Sequence, residues 1–219
     1  MTATETMTSL VASLADNKAA LGRRYAEWGV SAPTLESAVA AAAMAQDELG
    51  HARATYHVVK VLGADAEPDG RRLAMLDDEL PDWLAFVAAN LLVDGVLTTF
   101  VAACRNSSVV PMAQRARKIL QEEGSHRIHA EAWARRLARG PQRDALFARL
   151  LDTWEQAGRW LGPAEDRGFA AAVADGMIAR DPAGQREQVR GWLAGLIGLE
   201  LPEPEDWSRW DAARRRWNP

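Results

Sequence analysis

At 219 residues, 48% of them hydrophobic, the chain is long enough to bury a sizeable core within one domain. A formal net charge of −4 excludes a global basic field for nucleic acid, and the single Cys104 excludes an internal disulfide, as expected in a reducing cytoplasm. Residues 1–9 carry no basic segment followed by an apolar one, and the longest uninterrupted apolar run, residues 38–45, is too short for a bilayer, so a soluble cytoplasmic protein with no membrane partner is expected.

Ala and Leu dominate and β-branched runs are few, which favours helix throughout. The first helix is predicted over residues 8–28, where Leu10, Leu14, Leu21 and Tyr25 give a partly helical apolar period. Gly29 and Pro33 end it, and the segment from Ser31 to Glu36 reads as a cap opening a second helix that Gly63 stops. Residues 64–80 are acidic, carry Pro68 and Gly70 and are followed by Pro81, so a loop with one short helix is expected. A third helix is predicted over 82–104, and a tight turn at Asn106, Ser107, Ser108 and Pro111 leads into a fourth that reaches Arg139. Gly140 and Pro141 then separate this core, residues 8–139, from C-terminal helices within 142–217: shorter ones at 143–161, 163–180 and 185–199, and a last one at 205–217. That last helix would carry Trp207, Trp210 and Trp217, with Leu201, as an apolar stripe packed on the bundle or on another subunit.

Two Glu-x-x-His pairs, Glu48/His51 and Glu123/His126, stand inside the second and fourth helices and use half of the four histidines. Residues three apart share a helix face, so each pair aims a carboxylate and an imidazole at one point. That ligand mix suits iron or manganese, and two such pairs on facing helices describe a ferritin-like dinuclear site. The fold class expected is therefore all-α, a ferritin-like four-helix bundle with additional C-terminal helices forming a single domain. The competing reading of the pairs is ordinary ion pairing.

Helix rise sets the heights. Glu48 lies about 17 residues beyond a turn near residue 31, about 25 Å along the axis, and the matching level on the first helix holds Asp16 and Lys18. Glu27 is too close to the turn to join. In the second hairpin, turning near residue 108, Glu123 is matched on the third helix by Asp94, an acid in the otherwise apolar run from Leu91 to Gly95. Such an acid is costly to bury unless a cation or donor satisfies it, which adds Asp94 as a fifth ligand. A symmetric site needs one more acid from the first helix. Height alone does not choose between Asp16 and Lys18, and a protonated lysine cannot bind metal. Glu122 and Asp47 adjoin the motif residues but point about 100° away, toward solvent or a supporting bond. His129 is either a neighbour of the site or a surface residue, and His57 has no chemistry assigned.

The segments Leu14–Asn17, Glu27-Trp28, Ala32–Leu35, Gln46–His51, Leu92–Gly95 and Glu122–His126 resemble the phenylacetyl-CoA epoxidase subunits, ferritin-like proteins of phenylacetic acid degradation. The likeness covers residues 10–160 and combines two kinds of subunit. The opening Ala-Asp-Asn segment and the Trp-rich stretch after His126 resemble the structural C-type subunit, which typically lacks a working metal site. The Glu-x-x-His pairs and Val93-Asp94-Gly95 resemble the catalytic A-type subunit, whose di-iron centre activates O2. Carried over by position, the resemblance implies Glu48, His51, Asp94, Glu123 and His126 as metal ligands, with Lys18 opposite the catalytic subunit's first-helix glutamate. Three roles stand open for Lys18: an ammonium in one metal's place, a neutral amine that ligates or acts as a catalytic base, or a bystander while Asp16 supplies the oxygen.

Two functions follow. One is a di-iron or related oxygenase that oxidises a small, aromatic, acyl-CoA-like substrate with electrons from a separate reductase, since no nicotinamide or flavin motif is present. The other is a non-catalytic structural subunit of such a system, with a mononuclear or empty site. By the same resemblance, a homo- or hetero-oligomer is expected.

Overall fold

The computed structural model describes residues 1–64 and 70–218. Residues 65–69, within the expected acidic loop, lie outside the described residues.

Helix α1, Ala3–Trp28, begins five residues before its expected start because Thr2 and Glu5 close a capping box. The Thr2 hydroxyl accepts from the Glu5 amide at 3.2 Å, and the Glu5 carboxylate accepts from the Thr2 amide at 2.8 Å. Helix α2, Leu35–Val61, is opened by Thr34, whose hydroxyl accepts from the Ser37 amide. A six-residue connection, 29–34, makes the two an antiparallel pair that packs along its whole length. After a 3-10 turn at Ala74–Leu76, Asp82 caps α3, Trp83–Ala88, which runs through a π-helical turn, Ala89–Val93, into α4, Asp94–Ala103. Helix α5, Val110–Ala138, returns antiparallel to α4 with Pro111 in its first turn.

The third predicted helix is thus one rod with a π bulge immediately before Asp94. An added residue in the turn rotates everything after it by about 100°, which sets the face Asp94 presents relative to the Trp83 and Phe86 face. The stretch Trp83–Ala103 is also long and apolar enough to cross a membrane by composition, and 78% of its most apolar window is buried inside the bundle. Its apolarity serves the core here. The expectation drawn from the run at 38–45 overlooked this stretch because Asn90 and Asp94 interrupt it.

Helices α6, Arg143–Ala157, α7, Arg167–Ala174, and α8, Pro182–Ile197, surround the bundle: α6 lies on α3 and α5, α7 on α1, and α8 on α4 and α5. Their buried apolar residues join the same core cluster as the four long helices. Helix α7 covers less than half of the expected 163–180 segment, starting where Asp166 caps the Gly168 and Phe169 amides.

The predicted last helix is not formed. Residues 205–209 run without helix into a two-stranded antiparallel hairpin, β1 at Trp210–Asp211 and β2 at Arg216–Trp217. The Asp211 carboxylate accepts from the Ala213 and Arg214 amides, which makes a turn where a helix would continue. Arg215 then takes a left-handed backbone with φ of 50°. The tryptophans expected as a helical stripe become partners of arginines. Arg159 lies over Trp217 at 4.3 Å from the ring centroid and Arg186 lies near Trp207 at 5.6 Å.

Candidate functional site

All four long helices contribute one polar residue to a point inside the bundle. Lys18 comes from α1, Glu48 from α2, Asp94 from α4 and Glu123 from α5, and all are buried. The Lys18 ammonium donates to Glu48 Oε1 at 2.9 Å, Asp94 Oδ1 at 2.6 Å and Glu123 Oε1 at 2.6 Å. An ammonium has three donors, and here each finds a carboxylate on a different helix.

The two imidazoles close the cluster. His126 Nδ1 lies 3.1 Å from Asp94 Oδ2, 3.3 Å from Glu48 and 3.4 Å from Glu123. His51 Nδ1 lies 3.4 Å from Glu123 Oε1 and 3.7 Å from Glu48 Oε1. Each ring reaches outward with its other nitrogen. His51 Nε2 meets Glu122 at 2.9 Å, and His126 Nε2 lies 3.4 Å from Asp47. Glu122 is in turn held by Lys118 at 2.5 Å.

Charge explains the protonation states. Burial works to lower the Lys18 pKa, but Asp94, Glu123 and Glu48 together hold it well above the usual lysine range. Burial likewise opposes charge on His51, yet contacts with Glu123 and Glu48 raise it to about 9. His126 is raised further by Asp94, Glu123 and Glu48 against the same burial. Among the acids, burial and Glu123 raise Asp94, whereas Lys18 and the imidazoles pull Glu123 well down despite its burial. Three carboxyl groups thus face one ammonium and two imidazoles whose pKa values they raise.

The six sequence candidates at this level, Lys18, Glu48, His51, Asp94, Glu123 and His126, are brought together. Asp16 is not. Its Oδ1 accepts from the Tyr56 hydroxyl at 2.7 Å and its Oδ2 from the Arg71 amide at 2.9 Å, tying α1 to α2 and to the segment after residue 70. Asp16 and Lys18 differ by only two residues in height but by about 160° in direction, so only one can face the bundle interior. Lys18 therefore lies in the cluster and does not stand by while Asp16 supplies an oxygen.

Asn90 and Tyr25 were not expected at the site. The Asn90 amide lies 3.5 Å from Asp94 Oδ2 and 3.4 Å from the Tyr25 hydroxyl. A polar residue four before Asp94, on the same face of an apolar helix, was the available signal. His129 sits beside them, edge-on to Trp83 and Phe86, with Nδ1 3.5 Å from Asn90.

The donor set bears on a metal in two ways. Glu48, Asp94, Glu123 and His126 offer four ligand atoms within 4.8 Å of one another, and such a group can hold one ion. Glu48 Oε2 is also buried without a hydrogen-bond donor among the described residues. Two ions do not fit. The first helix supplies an ammonium where a dinuclear site needs an acid, and that ammonium already engages one oxygen of each carboxylate.

An all-α ferritin-like bundle with acids and imidazoles gathered at its centre defines the class of protein. Over residues 1–219 the chain matches the model of the phenylacetic acid catabolic protein family, and it belongs to that family. No curated protein matches it.

Proposed function

We propose that the chain is a non-catalytic, structural subunit of a multicomponent oxygenase of phenylacetic acid breakdown, working beside a catalytic relative that carries the metal and the O2 chemistry. The observation that carries this reading is the Lys18 ammonium bound by three buried carboxylates of three other helices. It puts one positive charge among the carboxylates that metal ions would otherwise neutralise. Family membership supplies the pathway. Exposed Val30, Leu35 and Val39, at the α1–α2 turn and the start of α2, are the kind of apolar surface a partner subunit would cover.

The second reading is an oxygenase that oxidises a small aromatic acyl-CoA. It draws on Glu48 Oε2 and on the four ligand atoms within 4.8 Å of one another. It requires Lys18 to leave the cluster. When bound, iron would supply O2 activation, while the apolar bundle would exclude water.

Anaerobic loading with ferrous iron separates the two. The structural reading expects well under one iron per chain, no optical transient on mixing with O2, and no oxidation of phenylacetyl-CoA when a reductase is supplied. It also expects co-expression to raise the yield or turnover of a catalytic family member. Two irons per chain, an O2-dependent transient and an oxidised thioester from this chain alone would establish the oxygenase instead.

A further inference from the structure

We propose that Lys18 is a resident counter-ion occupying the place of a divalent cation, so that ammonium and metal are exchangeable occupants of one buried point. The inference deepens the structural-subunit reading and rests on it for one premise, that the natural chain holds no metal there.

The geometry argues for exchange rather than for an incidental ion pair. The Lys18 side chain is fully buried, so its ammonium is out of reach of bulk water. Its three contacts at 2.6 to 2.9 Å come from α2, α4 and α5, and Lys18 itself belongs to α1. One cation therefore ties all four rods at a single level, the mechanical role a bound metal plays in a bundle of this kind. The ligands left when the ammonium is removed are three carboxylates and His126, a set that suits a divalent cation. Removing one partner from a buried ionic cluster leaves uncompensated charge, and that loss is large. A chain deprived of Lys18 must recruit another cation or lose stability.

The substitution Lys18→Met tests this, since it deletes the charge and keeps an unbranched apolar stem. Thermal unfolding of natural chain and variant is followed in chelator and with Mn2+, Zn2+ or anaerobic Fe2+, together with metal content after gel filtration. The natural chain should melt at the same temperature in every condition and retain no metal. The variant should melt about 10 °C lower in chelator, regain at least half of that loss with a divalent cation, and retain about one ion per chain. Should the variant fail to accumulate, its refolding from denaturant with and without Mn2+ gives the same reading, with folded protein expected only with metal. A variant that is blind to metal, or that refolds in neither condition, overturns the exchange. So does a natural chain that binds metal with Lys18 in place.

The two readings fail separately. Oxidation of phenylacetyl-CoA by the natural chain sinks the structural role. A natural chain that is inactive and metal-free, with a metal-blind Lys18→Met variant, leaves the structural role standing and sinks the exchange alone.

Discussion

His51 carries the cluster's sensitivity to pH. Burial disfavours its charged ring, but Glu123 and Glu48 raise its pKa from 6.5 to about 9. A group whose folded pKa exceeds its unfolded value contributes stability that is complete below the unfolded pKa and is lost as pH rises through the folded one. Stability from this group is therefore expected to be complete near pH 6 and to fall by about 3 kcal/mol between pH 6.5 and 9.5. The three carboxylates raise His126 as well, against its burial. Urea midpoints across this range check the expectation, and a His51→Gln variant should flatten the profile. A natural chain with a level profile from pH 6 to 9.5 would mean that His51 is neutral in the fold. At this scale the participants were legible, because carboxylate and imidazole three apart on a helix share a face. The partners that hold the rings, Glu122 and Asp47, were visible only as neighbours of the motifs.

At the scale of elements, the close approach of α1 and α2 depends on one glycine. A Cβ at Gly22 would stand 2.8 Å from Leu49 Cγ and 3.1 Å from the Ala45 carbonyl. Gly22→Ala gains helix propensity but overpacks this contact, and a net destabilisation of about 1–3 kcal/mol is expected. Gly50 sits on the same pair of helices with none of the described residues within 4 Å of its would-be Cβ. Gly50→Ala should stabilise the chain by about 0.5–1 kcal/mol through propensity alone. Chemical denaturation of the two variants gives opposite signs, and two losses of similar size would refute the difference in packing. Helix existence was readable from apolar spacing and from the cap segment that contains Thr34, whereas Asp181 caps α8, which starts three residues before the expected 185. The π turn before Asp94 was not readable, because apolar residues at 89 and 91–93 read the same whether the turn is α or π.

For the whole molecule, the C-terminal segment clasps the outer helices through buried arginines. Arg215 donates to the Leu161 carbonyl at 2.6 Å, lies near Asp166 at 3.6 Å and stacks over Trp210. Arg186 donates to the Gly162 carbonyl and to Glu203, and Trp154 donates to the Pro202 carbonyl at 2.7 Å. Arg215→Ala removes a charged donor from a buried carbonyl and leaves Asp166 with one contact fewer, so a loss of about 2–3 kcal/mol is expected. Limited proteolysis should then cut first between residues 200 and 218, with the bundle core released intact. Cleavage that starts elsewhere would show that the hairpin is not what the arginine holds. The Trp spacing of this segment reads as a helix, whereas in the hairpin each ring gains a guanidinium partner distant in sequence or across the turn: Arg159 for Trp217, Arg186 of α8 for Trp207 and Arg215 of the hairpin for Trp210.

The sequence by itself determined four long helices, two Glu-x-x-His pairs and the level at which Asp94 joins them, because a rise of about 1.5 Å per residue converts spacing into height. Tertiary structure alone decided which side of α1 faces the interior. Asp16 and Lys18 stand at nearly one height and about 160° apart, and rotation about the helix axis is set by what packs against each side. Lys18 faces the carboxylates of α2, α4 and α5, and Asp16, also buried, meets Tyr56 and the Arg71 amide on another side of α1. That one rotation places an ammonium, rather than a carboxylate, among the buried acids.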